Sequence, residues 1–365
     1  MEDMGIDQKF LTPSHSKPLA QVAGSYTYFA EGDVLLAKIT PCFENGKLGI
    51  AANLTNGIGF GSSEYFVFRP DATLNREWLY YFLSRETFRD EGAQRMTGAV
   101  GHKRVAKEFI EAYPIPLPPL AEQKRIVGIL DEAFDGIATA KANAEKNLRN
   151  ARTLFESQLE AVFAQRDSSH VVRRLDQMCE EITVGHVGTM AKQYRDHGIP
   201  FLRSQNIRPF HISLENVVFI DETFHRALAK SQLRPGDVAV VRTGYPGTAA
   251  VIPDTLPVSN CSDLVIVRPG PAADPNYLAL FFNSRMGKRL VAGQIVGAAQ
   301  KHFNVTAAKQ VAISFPPIAE QCRIVSQVER FGIETKRLES IYQQKLAALD
   351  ALKKSLLHQA FTGAL

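Results

Sequence analysis

The sequence predicts a mixed α/β protein with an internal pseudo-two-fold repeat: two small α/β domains separated by a long antiparallel coiled coil of two helices. The first observation is a duplicated phrase, "PLPPLAEQKRIV" ending at Val127 and "SFPPIAEQCRIV" ending at Val325, 198 residues later. The second is that further matching segments precede both copies in the same order. The third is an apolar stripe with heptad-like spacing after each copy, which is typical of coiled-coil helices.

The segments that precede each phrase predict the elements of the repeated domain. "EGDVLLAKITP" (31–41) corresponds to "PGDVAVVRTGYP" (235–246), "SEYFVFRP" (63–70) to "SDLVIVRP" (262–269), and "GAVGHKR" (98–104) to "GAAQKHF" (297–303). Runs of β-branched and aromatic residues bounded by Gly, Pro and Asp indicate strands. The apolar residues of "REWLYYFLSRETFRDEG" have helical spacing, so we predict one helix that ends at its glycine.

Each duplicated phrase begins a long helix. After the first phrase, apolar residues recur at Ile126, Leu130, Ala133, Ile137, Ala140, Ala144, Leu148, Ala151, Phe155 and Leu159. After the second, they recur at Ile324, Val328, Phe331, Leu338, Tyr342, Leu349, Leu352 and Leu356. Each stripe is too narrow to form a core by itself, so we expect the helices to pack on each other, and chain connectivity favours an antiparallel pair. Gly363 is expected to close the second helix.

These features predict four segments: a first domain (1–117), a first helical spacer (118–169), a second domain (170–315) and a second helical spacer (316–365). Residues 1–117 carry 12 basic and 14 acidic side chains, whereas residues 170–315 carry 16 basic and 11 acidic ones. The basic excess of the second domain is compatible with a surface that faces phosphate groups. An ordinary solvated face would show the same excess.

Composition excludes several classes of protein. The chain has 365 residues, of which 45% are hydrophobic and 22% charged, and it contains no apolar run long enough to span a bilayer. The first ten residues lack the basic and apolar blocks of a signal peptide, so we expect a cytoplasmic protein with no membrane contact. Four cysteines, at 42, 179, 261 and 322, have neither disulfide-framework nor zinc-site spacing.

Taken together and in order, these motifs resemble the specificity subunit of type I restriction–modification enzymes. The resemblance rests on the two junction phrases, the two Gly-Asp-Val strands at 32–34 and 236–238, and the terminal "KKSLLHQAFTGAL". It implies two target-recognition domains that each read half of a bipartite double-stranded DNA site. It also implies docking of two methyltransferase subunits and of translocase/nuclease subunits. The chain itself would be non-catalytic and need no cofactor, since S-adenosylmethionine, ATP and Mg²⁺ would belong to those partners.

The sequence departs from the family pattern at its start. Aligning Asp33 with Asp237 places Met1 opposite Gln205, so residues 1–117 contain no counterpart of residues 171–204. We therefore expect the first domain to be incomplete at its N-terminus. One alternative reading is a shortened subunit that assembles with partners but recognises DNA poorly. Another is a coiled-coil scaffold that does not bind DNA, which would leave the two α/β repeats unexplained.

Catalytic motifs do not support an autonomous enzyme. "ENGKLG" (44–49) contains Gly46-Lys47, but Pro41 occupies the place of the first glycine of a phosphate loop. "FPPI" lacks the polar and aromatic residues with which adenine methyltransferases hold a flipped base. We therefore predict no catalytic residues and no metal site.

Loops rich in polar and basic residues are the candidates for DNA contact, because these side chains pair with base edges and phosphates. In the second domain they are Arg203, Ser204, Gln205, Asn206, Arg242, Thr243, Tyr245, Lys301, His302 and Asn304. In the first domain they are Lys38, Thr40, Lys103 and Arg104. For any one of these residues, an ordinary polar loop is an equal alternative.

Overall fold

The computed structural model describes residues 2–24, 26–164, 169–190, 192–293 and 303–365. The chain forms two compact units, unit 1 (Met1–Lys146 and Tyr342–Leu365) and unit 2 (Asn147–Ile341). Each unit contains one α/β domain and part of each of two long helices, α5 and α11, whose bounds follow.

The domain of unit 1 is small and mixed. Its elements, followed by the first long helix, are β1 (Phe10–Leu11), α1 (Leu19–Val22), β2 (Thr27–Ala30), β3 (Val34–Ala37), β4 (Leu48–Ala51), β5 (Ile58–Gly61), β6 (Tyr65–Phe68), α2 (Arg76–Leu83), α3 (Glu86–Gln94), α4 (Lys107–Ala112) and α5 (Leu120–Ala164). The main sheet has the order β1-β4-β3-β6, and β2 pairs with β5. Strand β3, "VLLA", is buried along its whole length between β4 and β6.

The domain of unit 2 repeats this plan with additional strands. Its elements, followed by the second long helix, are β7 (Val171–Arg174), α6 (Leu175–Met178), β8 (Cys179–Val184), β9 (Ile199–Leu202), β10 (Ile207–Arg208), β11 (His211–Ile212), β12 (Val218–Ile220), α7 (Glu222–Ala227), β13 (Gln232–Leu233), β14 (Val238–Val241), β15 (Ala249–Val251), β16 (Ser259–Cys261), β17 (Leu264–Pro269), α8 (Pro275–Asn283), α9 (Arg285–Gly293), α10 (Val305–Gln310), β18 (Ala312–Phe315) and α11 (Ile318–Thr362). The two larger sheets have the orders β15-β14-β17-β8 and β12-β9-β16-β13.

The two domains differ at one sheet edge. In unit 2, β17 lies between β14 and β8, and β18 pairs with β7. In unit 1, the equivalent strand β6 pairs with β3, and no strand among the described residues pairs with its other edge. Strands β7, β8 and β9 all come from residues 171–204, the segment that has no sequence counterpart in the first domain. Among the described residues, β6 is therefore the edge strand of its sheet, whereas the equivalent strand β17 is covered by β8.

The Gly-Asp-Val motif of unit 1 forms a buried acid–base contact. Asp33 is 2% exposed, and it accepts hydrogen bonds from the Ala30 N–H at 2.7 Å and from Arg69 Nη2 at 2.6 Å. Burial by itself raises the pKa of the Asp33 carboxyl, but the hydrogen bonds from Arg69 and Ala30 and the Arg69 charge outweigh it, so the pKa lies below its usual range. The carboxylate thus joins β3 to the end of β6.

The same contact recurs in unit 2 with deeper burial of the basic residue. Arg268, 6% exposed, donates from Nε to Asp237 at 3.2 Å and from Nη2 to the Gln232 carbonyl at 2.8 Å, and it also pairs with Glu181. Burial raises the pKa of the Asp237 carboxyl, against the opposing hydrogen bonds from the Arg234 N–H and from Arg268. The Asp–Arg contact therefore joins equivalent strands in each domain.

The single helix predicted after β6 is wrong, because the chain forms two. Helix α2 ends at Leu83, and Arg85 has an extended backbone (ψ 138°) before α3 begins. The glycine expected to end the helix, Gly92, lies inside α3 and is buried. A Cβ on Gly92 would come within 2.4 Å of the Phe43 ring, so close packing against this ring leaves room only for glycine.

The long helices run antiparallel within each unit. In unit 1, Lys141 Nζ lies 2.6 Å from Asp350, and Arg125 Nη2 donates to the Leu365 carbonyl at 3.0 Å. In unit 2, Arg152 Nε lies 3.2 Å from Glu339. In unit 1 the residue number falls along α11 as it rises along α5, which confirms the antiparallel prediction. Leu130, Ile137, Ala144 and Ala151 of α5 are buried at seven-residue steps.

Part of the apolar stripe predicted for α11 is wrong. Leu338 and Leu352 are 38% and 47% exposed, whereas Thr335, which the sequence pattern did not include, is 6% exposed. Thr335 lies one heptad after buried Val328 and so continues the buried face, but a pattern built on apolar residues does not include a threonine. Gly363, with φ +78°, ends the helix as expected.

The glutamine of the first duplicated phrase joins its domain to helix α5. Gln123 is fully buried, and its Oε1 accepts a hydrogen bond from the Asn75 N–H at 2.8 Å. Its side-chain amide donates to the carbonyls of Thr73 at 2.9 Å and Pro118 at 2.8 Å. Asn75 in turn caps α2 by accepting from the Trp78 N–H.

Gln321 of the second phrase makes the same three contacts in unit 2. Its Oε1 accepts from the Asp274 N–H at 2.9 Å, and its amide donates to the carbonyls of Ala272 at 3.0 Å and Pro316 at 2.8 Å. Asp274 caps α8 through the Tyr277 N–H. Because one fully buried glutamine satisfies three backbone groups, this geometry explains why the phrase contains glutamine in both copies.

An ion pair at equivalent positions of the two units has opposite polarity. Glu86 at the start of α3 pairs with Lys354 of α11 at 2.7 Å, and Arg285 at the start of α9 pairs with Glu156 of α5. The hydrogen bond from Lys354 lowers the pKa of Glu86. If the helix segments were exchanged between the two domains, Glu86 would face Glu156 and Arg285 would face Lys354. Repulsion between these like charges therefore favours the observed pairing.

Candidate nucleic-acid interface

In unit 2, the ends of three strands meet at one corner of the domain. The Ser262 N–H donates to the carbonyl of Leu202, the last residue of β9, at 3.0 Å, and the Asp263 N–H donates to the His186 carbonyl, just after β8, at 3.2 Å. Val241, the last residue of β14, is paired with Leu264. Residues that follow β9 and β14 are therefore brought to the same corner, which we call corner 2.

The carboxylate of Asp263 organises corner 2. It accepts Thr243 Oγ1 at 3.1 Å and lies 3.0 Å from Arg242 Nη1. Arg242 is 8% exposed, and its Nε donates to the carbonyl of Phe303 at 3.1 Å. Of the two predicted residues, Thr243 is exposed, whereas Arg242 is buried and fixes the base of the loop. Asn304, next to Phe303, caps α10 by accepting the Ala307 N–H at 2.8 Å.

The segment after β9 combines one buried residue with more accessible neighbours. Asn206 is fully buried, accepts the Arg203 N–H at 3.1 Å and donates to the carbonyl of Ser213 at 2.9 Å. Gln205 is exposed and Ser204 is half-buried. Asn206 thus holds the turn that presents the side chains beside it.

Arg203 lies against the edge of this turn. Its Nη2 donates to the Asn216 carbonyl at 2.9 Å, and its guanidinium carbon lies 5.7 Å from the centre of the Tyr194 ring. Its Nε is buried without a hydrogen-bond partner among the described residues. Arg203 is therefore less accessible than a free surface arginine.

Tyr245, in the loop after β14, is 84% exposed. Gly244 and Gly247 on either side have φ of +86° and +88°, a conformation that glycine adopts without strain. The Gly247 N–H donates to the Val241 carbonyl at 3.0 Å and closes the loop. A fixed backbone thus projects an aromatic ring with a hydroxyl group into solvent.

In unit 1, the predicted residues also converge on one corner, corner 1. Lys38 follows β3, and its N–H donates to the Glu64 carbonyl at 3.0 Å. Arg104 binds the Glu64 carboxylate through Nε at 2.9 Å and Nη2 at 2.7 Å. The Thr40 N–H donates to the Lys103 carbonyl at 2.9 Å. Glu64 therefore contacts Lys38 and Arg104, and nearby residues on these two segments, Thr40 and Lys103, are bonded to each other.

Basic neighbours favour the ionised form of Glu64. Hydrogen bonds from Arg104, with the charges of Arg104 and Lys38, lower the pKa of the Glu64 carboxyl despite partial burial. Lys38 Nζ also lies 5.6 Å from the centre of the Phe66 ring. Lys103, by contrast, is exposed and has no acidic partner among the described residues. Its charge is therefore available to an external anion.

The two corners are equivalent positions of the repeat. Lys38 corresponds to Arg242, each after the central buried strand, and Glu64 corresponds to Asp263, each just before the next strand. The sequence analysis missed both acidic residues. Their recurrence in "SEYFVF" and "SDLVIV" was the available signal, because both copies carry an acid at the same place.

Two predicted residues, Lys301 and His302, lie outside the described residues. Within the described ranges, no group of three or more His, Cys, Asp or Glu side chains could hold a metal ion. In the same part of the chain, no helix combines the length and apolarity needed to cross a membrane.

Comparison with known proteins identifies the class of domain. Residues 5–148 match the type I restriction modification DNA specificity domain. The specificity subunit of the type I restriction enzyme EcoAI from Escherichia coli is 47% identical over 112 residues, which are 30% of this chain but 19% of that protein. The EcoKI specificity subunit of E. coli strain K12 is 24% identical over 318 residues, covering 82% of this chain and 68% of that protein.

Solved structures support the same grouping at the level of fold. A chain from a study of complex assembly and conformational transition in the type I R-M system has a TM-score of 0.80 at 20% identity and covers 100% of this chain and 90% of that one. The HsdS subunit of Thermoanaerobacter tengcongensis has a TM-score of 0.69 at 20% identity, with coverage of 100% and 89%. Residues 5–148 therefore match a type I restriction modification DNA specificity domain, and the chain has the fold of these type I structures.

Proposed function

We propose that this chain is the DNA-recognition subunit of a type I restriction–modification complex, and that each domain reads one half of a bipartite double-stranded site through its corner. The observation that carries this proposal is the convergence of basic and hydroxyl side chains on equivalent corners of two domains whose loop sequences differ. A shared scaffold with different loops is what two half-sites of different sequence require.

The side chains divide into two roles within this proposal. Tyr245, Thr243 and Gln205 are exposed and contact base edges, and Lys103 contacts phosphate. Arg242 and Asn206 are buried and hydrogen-bonded to the protein, so they position the loops. DNA specificity then depends on a few exposed residues supported by a fixed backbone.

The proposed partners are those of type I restriction–modification systems. Two methyltransferase subunits dock on the chain, translocase/nuclease subunits complete the enzyme, and S-adenosylmethionine, ATP and Mg²⁺ bind to these partners. The long helices α5 and α11 set the spacing between the half-sites. The specificity-subunit names of the relatives and the reported assembly of a type I system support this proposal.

A second candidate is a subunit that assembles with partners but reads its first half-site poorly. Among the described residues, no strand pairs with the outer edge of β6, whereas β8 covers the equivalent strand β17 in unit 2, and this difference favours the second candidate. In this case the second domain provides most of the specific contact.

Replacing Tyr245 by alanine is expected to weaken specific DNA binding at least about fivefold, since one base contact contributes about 1–3 kcal/mol. The measurement is competition binding of the chain assembled with its methyltransferase subunits, with specific and non-specific duplexes. Tyr245 is 84% exposed, so the variant should fold normally.

Val258→Ala is the matched control, because Val258 is 65% exposed just before β16, at the opposite end of that strand from corner 2. It should bind DNA like the unchanged protein. Equal affinities of the Tyr245 variant and the control would contradict the assignment of Tyr245. Absence of any sequence preference in the unchanged complex would contradict the proposed function itself.

A further inference from the structure

A short hairpin, residues 97–104, extends from corner 1. Its base is fixed by two backbone hydrogen bonds between Thr97 and Arg104, at 3.0 and 2.9 Å, and by the contact of Arg104 with Glu64. The His102 N–H donates to the Ala99 carbonyl at 2.9 Å and closes the tip. The hairpin is therefore anchored at its base, although its tip lies in solvent.

The tip displays an apolar residue. Val100 is 93% exposed, the highest value among the exposed large hydrophobic side chains of the described residues. The glycines on either side have φ of +123° (Gly98) and +80° (Gly101), and a Cβ on Gly98 would come within 2.9 Å of the His102 carbonyl oxygen. The backbone thus requires glycine at both places, whereas nothing in the fold requires an aliphatic residue between them.

Single exposed apolar residues are common, but the setting of Val100 is specific. Exposed His102 and Lys103 follow it on the same hairpin. The matching segment of the second domain, "GAAQKHF", places aliphatic Ala299 at the equivalent position, also followed by a basic pair, although residues 297–302 lie outside the described residues. An aliphatic tip followed by basic side chains combines apolar and phosphate contacts in one element.

We propose that hairpin 97–104 enters the major groove of the first half-site, where Val100 contacts the C5-methyl group of a thymine and Lys103 contacts a phosphate. The major groove admits an element as wide as an α-helix or a two-stranded ribbon, so it has room for this hairpin, and the thymine methyl is the apolar group exposed there. This inference rests on the proposed function and adds a specificity-determining residue to it.

The test measures coupling between Val100 and one thymine. In the assembled complex, each thymine of the selected site is replaced in turn by uracil, which removes only the methyl group, and binding is measured for the unchanged protein and for Val100→Ser. At one position, uracil should weaken binding of the unchanged protein about tenfold, because the free energy of burying a valine against an apolar group corresponds to a change in affinity of that size. The same uracil should have no effect on binding of the variant.

Two variants separate this contact from other effects. Lys103→Gln should reduce the dependence of log affinity on log salt by about one, whereas Val100→Ser should leave that dependence unchanged. Leu117→Ser, at a residue 54% exposed outside the hairpin, should behave like the unchanged protein. Since Val100 makes almost no contact within the chain, loss of binding in its variant would not report misfolding.

Equal sensitivity of both proteins to uracil at every thymine would overturn the role of Val100 while leaving the proposed function intact. Absence of any sequence preference in the unchanged complex would instead contradict the proposed function.

Discussion

Replacing Gln321 by leucine is expected to lower the free energy of unfolding of unit 2 by roughly 4 kcal/mol. The substitution removes the partner of the Asp274 N–H and of the carbonyls of Ala272 and Pro316, which contact the fully buried Gln321 side chain. Each such group contributes a penalty of about 1–3 kcal/mol. Denaturant unfolding followed by circular dichroism measures the change.

The same substitution at Gln327, exposed on the same helix, is the control and should change stability by less than about 0.5 kcal/mol. Gln321→Glu should also be destabilising, since a carboxylate cannot donate to the two carbonyls. Gln123→Leu should reproduce the effect in unit 1. Similar stability of the Gln321 and Gln327 variants would contradict the role assigned to the duplicated phrase.

Replacing Arg268 by methionine is expected to lower the stability of unit 2 by about 3–5 kcal/mol at neutral pH, because it leaves the buried Asp237 carboxylate without its counter-charge. The folded-state pKa of Asp237 is already raised by burial, so its contribution to stability is greatest below the unfolded pKa and is lost as pH rises. Removing Arg268 should raise this pKa further. The deficit of the variant should therefore be smaller at about pH 5 than at about pH 8.

Two further variants test this explanation. Asp237→Asn in the Arg268 variant should recover part of the lost stability, since the uncompensated charge is gone. Arg69→Met in unit 1 should be milder, because the Arg69 side chain is 59% exposed whereas that of Arg268 is 7% exposed. A deficit independent of pH, with no recovery in the double variant, would show that packing and not charge explains the loss.

The sequence was sufficient for the repeat and for the identity of most elements. The two strands after Gly-Asp and before Arg-Pro, the long helices and the helix end at Gly363 follow from local composition and periodicity. The break between α2 and α3 could not be predicted from the sequence. Gly92 was expected to end the helix, but glycine is needed there because the Phe43 ring, which is distant in sequence, packs against it. The exposure of Leu338 and Leu352 did not follow either, because the buried heptad position of this helix is occupied by a polar residue, Thr335.

The location of the candidate site could be predicted from the sequence, but the roles of its residues could be predicted only in part. Polar residues on loops after equivalent strands meet because the topology brings those strand ends together, so Lys38, Thr243 and Tyr245 were found. The burial of Arg242 and Asn206 was not predictable, since it depends on Asp263 and on carbonyl groups of other loops. A polar residue type indicates the available chemistry, but its accessibility depends on the tertiary structure.

The central claim is that each domain reads its own half-site, and selection of bound duplexes from a random DNA library by the assembled complex tests it most directly. The unchanged complex should select two short specific blocks separated by a spacer of fixed length. Tyr245→Ala should weaken the preference in one block only, and Val100→Ser in the other only. Selection of a single continuous block, or loss of preference in both blocks with either variant, would contradict the account.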